Sequence, residues 1–385
     1  MKICVVAYKF GTEQEIGEHL GTYHYFIEKM RRLARLGNEV YVIAPWLSYF
    51  KKGSTEVDGV KILRYYPPFQ NRPKLRVLNN LLRWWYIKAT QMQVSKLDKQ
   101  TSLDIIYVWQ ARETGYAVAQ IVDKLRAPFV FRQITAWEWH FQKGMPDRAA
   151  QMKFAKVIYD TAKKVVFVSR AASEEGRRAG LSEEKIAIIG VGIETDFFQP
   201  RDVKIEWDVS FIGRINFAEK GIGYLLEAMP EIVKIIPSAK LGIIGGGGET
   251  PRMREFIKDL GIEKNVELLG QQPFSKLPAY LNSSKILVVP SAWVEHFGQV
   301  TVEGMASGIP VVNTNIGGSP EINTDGQTGL IVPPKDSHAL AAAIIKLLTD
   351  DELRQRMGRA ARERVLQNYT YDVLVNKFLE LVINV

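Results

Sequence analysis

Strand-length apolar runs recur along the whole of this 385-residue chain, each followed by a longer stretch with helical patterning. Such alternation points to parallel sheets covered on both faces, because parallel strands need crossover helices and leave neither face to water. The runs fall near residues 2–7, 39–44, 60–65, 104–108, 128–132, 165–168 and 186–189, then near 208–212, 240–244, 265–269, 286–289, 309–312 and 329–332. The chain is longer than one hydrophobic core usually serves. Two α/β domains in series are therefore expected, with a junction in the stretch from Gly190 to Pro200. No internal repeat or low-complexity segment interrupts the pattern.

Charge is distributed unevenly. Residues 1–200 carry 31 Lys and Arg against 20 Asp and Glu, whereas the remainder carries 20 against 22. A basic first half suits an anionic membrane surface, a phosphorylated lipid carrier or an acidic glycan. Nucleic acid fits the sign but has no supporting motif. Cys4 is the only cysteine, which excludes an intrachain disulfide and a cysteine-based zinc site. No apolar run approaches the roughly 18 residues needed to span a bilayer. The first run reads as a strand rather than a signal peptide. A cytoplasmic chain, peripheral at most on the inner membrane face, is expected.

The segment after Val289 concentrates the chemistry. It runs from Pro290 past Glu295 and Gly298 into a helical pattern that contains Gln299, Val300 and Glu303. A helix opening near Gly298 presents backbone N–H groups that stabilise a phosphate, assisted by the helix dipole. Glu295 and Glu303 flank that place. Two carboxylates repel a phosphate but accept hydrogen bonds from the hydroxyls of a nucleotide-sugar. At the end of the earlier run, Arg214 and Lys220 follow Gly213. A guanidinium fork and a compact ammonium suit the diphosphate of such a donor. No Asp-x-Asp pair occurs to hold a metal against it.

These blocks resemble those of the retaining GT-B glycosyltransferases of family four. The resemblance rests on the Glu-x7-Glu spacing of Glu295 and Glu303, the stretch Gly304 to Val312, the run Gly317-Gly318-Ser319-Pro320-Glu321, and Thr328 to Val332. It implies the GT-B fold: two Rossmann-like, doubly wound parallel-sheet domains facing across a cleft. The first would span 1–195 on the acceptor side, joined by a returning C-terminal helix at 370–385. The second, 196–369, would bind the nucleotide-sugar. The resemblance further implies that Arg214 and Lys220 bind the pyrophosphate, that Glu303 takes the ribose hydroxyls and that Glu295 contacts the transferred sugar. Gly245 to Gly248, with Gly270 to Pro273, would line the nucleotide end. The linker departs from the family pattern at Gly190-Val191 and Glu194.

The first half departs further. The family's Gly-Gly pair falls on Leu20-Gly21, so Gly21 with Thr22 would offer the helix start to the diphosphate. The family's strand-end His is missing; Arg132, Gln133, Thr135 or Glu138 would face the sugar, or His140 would reach it from the loop, with His19 and His24 as weaker candidates. Between Phe69 and Gln100, basic residues such as Lys74, Arg83, Lys88, Lys96 and Lys99 interleave with Leu81, Trp84, Trp85 and Tyr86. That mixture suits an anionic membrane. Adjacent Trp residues point apart on a helix, so at least one is expected to pack on the sheet.

The expected activity is retaining, metal-independent hexosyl transfer from a nucleoside-diphosphate sugar to a glycan or lipid-linked acceptor, in cell-surface polysaccharide or glycolipid assembly. The nucleotide-sugar is a co-substrate and no cofactor is expected. Glu295, Arg214, Lys220 and His140 are the catalytic candidates; Gly21, Gly298, Gln299, Val300 and Glu303 complete the donor-binding set. Two other readings remain open: a catalytically silent scaffold that binds a nucleotide-sugar or membrane, and a nucleotide-sugar epimerase.

Overall fold

The computed structural model describes residues 1–16, 20–46, 53–66, 76–109, 112–134 and 148–385. His19, Lys74, Thr135, Glu138 and His140 lie outside the described residues. The chain divides into two compact units, Met1–Gly190 with Leu374–Val385, and Val191–Val373. The first division falls slightly before the 195/196 boundary expected from sequence.

In the first unit the strands are β1 (Lys2–Ala7), β2 (Glu39–Pro45), β3 (Glu56–Val57), β4 (Val60–Tyr65), β5 (Ile105–Trp109), β6 (Phe129–Gln133), β7 (Lys164–Phe167) and β8 (Ile186–Ile188). Their order is β3-β4-β2-β1-β5-β6-β7-β8. All pairings are parallel except β3 with β4, a hairpin closed by Asp58 and Gly59, both at positive φ. Asp-Gly is the pair such a turn favours, and the periodicity reading missed it. β1 sits centrally, with Ile3 aligned to Val40 and Ile105, and Cys4 fully buried. The C-terminal segment belongs to this unit through Phe378, which is buried 4.5 Å from the Tyr107 ring. Lys29 lies against both, its Nζ 4.0 Å from the Phe378 ring centre, and burial pushes its pKa well down.

In the second unit β9 (Trp207–Ile212), β10 (Leu241–Ile244), β11 (Val266–Gly270), β12 (Ser284–Val289), β13 (Val311–Thr314) and β14 (Gly329–Val332) form an all-parallel sheet in the order β11-β10-β9-β12-β13-β14. Val209 and Phe211 of β9 and Ile286 and Val288 of β12 pack in one buried cluster with Leu225 and Met229 of helix Ile222–Ile235 and Ile344 of helix Ser337–Thr349. Both sheets grow outward in both directions from their first strand. A doubly wound sheet binds ligands outside the carboxyl ends of the two strands where the order reverses. Here those pairs are β1/β5 and β9/β12.

Candidate donor site at the β9/β12 switch point

The segment leaving β9 is shaped by its own backbone. Gly213 and Ile215 donate to the carbonyls of Ile244 and Gly246, each at 3.0 Å. Gly245, at φ +150, lies so close that an added Cβ would stand 1.8 Å from the Gly213 carbonyl oxygen. The glycines after β10 thus meet the loop that carries Arg214, and that contact accounts for Gly245. Asn216 then opens the short helix Phe217–Lys220, its side chain accepting from the Glu219 N–H at 2.7 Å. Gly221 follows at φ +64, where any Cβ would fall 1.9 Å from the Pro290 carbonyl oxygen. This contact holds Lys220 beside the segment leaving β12.

That second segment is tied down along its length. Ala292 and Trp293 donate to the Glu219 carbonyl at 3.0 and 3.2 Å, and Thr314 Oγ1 donates to the Ser291 carbonyl at 2.7 Å. Gly318 donates to the Glu295 carbonyl at 2.7 Å. Gly317, at φ +58, leaves only 2.0 Å between a hypothetical Cβ and the same oxygen. The Gly317-Gly318 pair therefore clamps the backbone of Glu295. Ser291 Oγ donates to Glu295 Oε2 at 3.3 Å, and Lys220 Nζ donates to the same oxygen at 2.6 Å. Gly298, at φ +100, then starts helix Gln299–Ala306 without a side-chain cap, so the first-turn N–H groups of Gln299 and Val300 have no intrahelical acceptor.

Lys220, Ser291, Glu295, Gly298, Gln299 and Val300 meet around a cavity of about 150 Å³. Complete ligand pockets run to roughly 300–1,000 Å³. Within this unit the cavity is thus smaller than a complete ligand pocket. The cation and the carboxylate neutralise one another in its wall, and the helix start adds a positive end.

Arg214 and Glu303 do not line this cavity. Arg214 is 64% exposed and pairs with Glu219 at 3.1 Å. Glu303 is buried in its helix, where its Oε1 accepts from Gln299 Nε2 at 3.1 Å. Burial pushes its pKa up to about 8, against the smaller opposing effect of the Gln299 hydrogen bond. The Glu303 carboxyl is mainly neutral at pH 7. His296, overlooked in the sequence, lies beside Glu295, and desolvation lowers its pKa below the ordinary value. Ser291, the glycine clamp and Thr314 were also missed; only their long-range partners reveal them.

In the first unit Gly21 occupies the first turn of helix Leu20–Arg35, which follows β1. Two sequence candidates there are held by the protein's own groups. The buried Arg132 guanidinium donates to the carbonyls of Ile189 and Gly190, the latter at 2.7 Å. Gln133 is held between Glu175 and Tyr159, both at 2.6 Å. Among the described residues no group of three or more His, Cys, Asp or Glu side chains could hold a metal ion.

Residues 21–197 match the model of Glycosyltransferase Family 4, and residues 192–364 match that of Glycosyl transferases group 1. An uncharacterized glycosyltransferase of Methanocaldococcus jannaschii is 27% identical over 88% of either chain. A D-inositol 3-phosphate glycosyltransferase of Corynebacterium glutamicum is 34% identical, over 47% of this chain and of that protein. A phosphatidyl-myo-inositol mannosyltransferase of Mycobacterium leprae is 33% identical over 45% of each. The chain thus spans about half the length of those last two relatives. Sucrose-phosphate synthase from Thermosynechococcus elongatus superposes with a TM-score of 0.79 at 21% identity, covering 100% of this chain and 98% of that one. Anabaena HepE, solved with UDP, gives 0.77 at 20% identity and full coverage of both chains. The chain belongs to the group 1 glycosyltransferases of family 4 and has the GT-B fold.

Proposed function

We propose that this glycosyltransferase moves a hexose from a nucleoside diphosphate to a glycan or lipid-linked acceptor, with retention at the anomeric carbon, no metal ion and no cofactor. Cytoplasmic assembly of a cell-surface polysaccharide or glycolipid is the setting. The observation that carries this reading is the Lys220–Glu295 pair, 2.6 Å apart beside an uncapped helix start at the β9/β12 switch point. Anabaena HepE, which shares the fold, was also solved with UDP-glucose, which supports a nucleotide-sugar as donor.

In this scheme the diphosphate lies against Lys220, Arg214 and the N–H groups of Gln299 and Val300. These groups stabilise the negative charge that develops as the anomeric carbon–oxygen bond breaks with its electron pair on the diphosphate. The acceptor oxygen bonds to that carbon on the same face and its proton passes to the departing phosphate oxygen. Glu295 accepts hydrogen bonds from the sugar hydroxyls, and Glu303 from the ribose.

Glu295→Ala tests the assignment, read as release of nucleoside diphosphate from the donor and as nucleotide binding. Transfer is expected to fall about a hundredfold or more. Nucleotide affinity is retained, because the diphosphate meets Lys220 through N–H donors that Glu295 does not occupy. Unchanged transfer would remove Glu295 from the site. No turnover in the parent protein with any donor would favour a silent scaffold.

A further inference from the structure

The first unit carries a surface that the donor site does not use. Helix Arg76–Thr101 is held to the unit along one side by buried residues. Tyr86 shares a hydrogen bond with Thr114 at 2.7 Å, Thr90 shares one with Tyr65 at 2.6 Å, and Asp98 accepts from the backbone of Arg126 at 2.7 Å. Val94 and Leu97 complete that side. The opposite face follows the same helical period through Leu81, Trp84, Trp85, Lys88, Met92 and Lys96, and ends at Lys99, all of them exposed.

Both tryptophans are outside, at 59% and 49% exposure, with Leu81 at 61% and Met92 at 70%. The expected packing of one of them on the sheet does not occur, since Tyr86 and Ile87 take the inward positions. From Leu81 to Lys99 the stripe extends about 27 Å at 1.5 Å per residue. Asp98 is the sole acid in this helix and is buried, so the exposed charge of the stripe is entirely positive.

We infer that this stripe docks the protein on an anionic lipid surface, with Leu81, Trp84, Trp85 and Met92 in the headgroup region and Lys88, Lys96 and Lys99 against the phosphates. Indole is the side chain that favours the membrane interface, its apolar body in the acyl boundary and its N–H among headgroups. Lysines beside it gain from the negative surface potential. A second copy of the chain is a poorer occupant, because a two-fold pairing centred on the stripe brings like charges together. Among the described residues no helix is long and apolar enough to cross a membrane; docking of this kind needs none. The inference does not rest on the donor-site reading.

Flotation of the full chain with vesicles tests it, comparing phosphatidylcholine alone with a 7:3 mixture of phosphatidylcholine and phosphatidylglycerol. The parent chain is expected to float with the anionic vesicles, less so at high salt. Each lysine near an anionic surface is worth about fivefold in partitioning. Lys88→Glu with Lys96→Glu and Lys99→Glu should therefore cost roughly a hundredfold or more. Trp84→Ser with Trp85→Ser should also abolish flotation. Both variants alter exposed positions, and unchanged melting temperature and nucleotide binding would show that fold and donor site are intact. Flotation that survives the Trp substitutions, or its absence in the parent, would overturn the inference. A dimer in sedimentation that those substitutions dissociate would also overturn it, by assigning the stripe to a second copy.

Discussion

Replacing Lys220 with alanine is expected to lower transfer by about a hundred- to a thousandfold, the loss typical of one preorganised donor to a developing anion. Its ammonium lies in the cavity wall with a side chain 28% exposed, and Glu295 occupies only one of its three N–H donors within hydrogen-bond distance. The diphosphate can therefore be met without breaking the existing pair. Arg214 offers the same charge under weaker conditions. Its side chain is 64% exposed and Glu219 already holds it at 3.1 Å, so solvent and salt screen it. Arg214→Ala is expected to cost about tenfold, and that loss should shrink as salt rises. Steady-state rates for the two variants at low and high ionic strength check the asymmetry. Equal losses for both would mean that the diphosphate does not lie over Lys220.

The second large effect concerns Glu303 and has a defined sign. Its pKa in the folded chain is about 8 against an ordinary 4.5, so the folded state keeps a proton that the unfolded state releases across that window. The favourable condition is complete below about pH 4.5 and is lost as pH rises through about 8. The span corresponds to at most about 5 kcal/mol at 1.36 kcal/mol per unit. Glu303→Gln replaces a neutral carboxyl by a neutral amide that can still accept from Gln299. The variant should match the parent near pH 5 and exceed it by several kcal/mol near pH 8.5, measured by denaturant unfolding at each pH. Under the proposed function the ribose hydroxyls favour the ionised form, so nucleotide affinity should also rise by up to tenfold per pH unit toward 8, and not in the variant. Parallel stability curves would show that the carboxyl is ionised and solvated in the folded chain.

The alternation of apolar runs carried the two sheets, because each run must be buried on both faces and each crossover must be helical. The cavity wall was legible where it lies in one stretch of chain: Glu295, Gly298, Gln299 and Val300 follow one another out of β12, and Lys220 follows β9. The contact between Lys220 and Glu295 joins residues that are remote in sequence. It depends on the Gly221 contact with Pro290, which no local pattern encodes. The glycine clamp on Glu295 has the same character: Gly317-Gly318 was recognisable as a block, but its partner was not. The burial of Glu303 was equally hidden, since eight positions after Glu295 the helix has turned the carboxyl behind Gln299. Exposure of both Trp84 and Trp85 reflects a helix that seats on the positions following them. The β3–β4 hairpin was missed for a simpler reason, namely that the two residues of β3 give no periodicity to read.

The central claim is that the β9/β12 switch point binds a nucleoside diphosphate through Lys220 and its neighbours without metal. Thermal unfolding with UDP, GDP or ADP at millimolar concentration in EDTA tests this most directly. A ligand confined to the native state adds about 2.7 kcal/mol at a hundred times its dissociation constant. One of the three nucleotides is expected to raise the melting temperature of the parent, and the combined Lys220→Ala and Arg214→Ala variant is expected to lose that rise. A shift that survives both substitutions, or no shift with any of the three, would contradict the assignment.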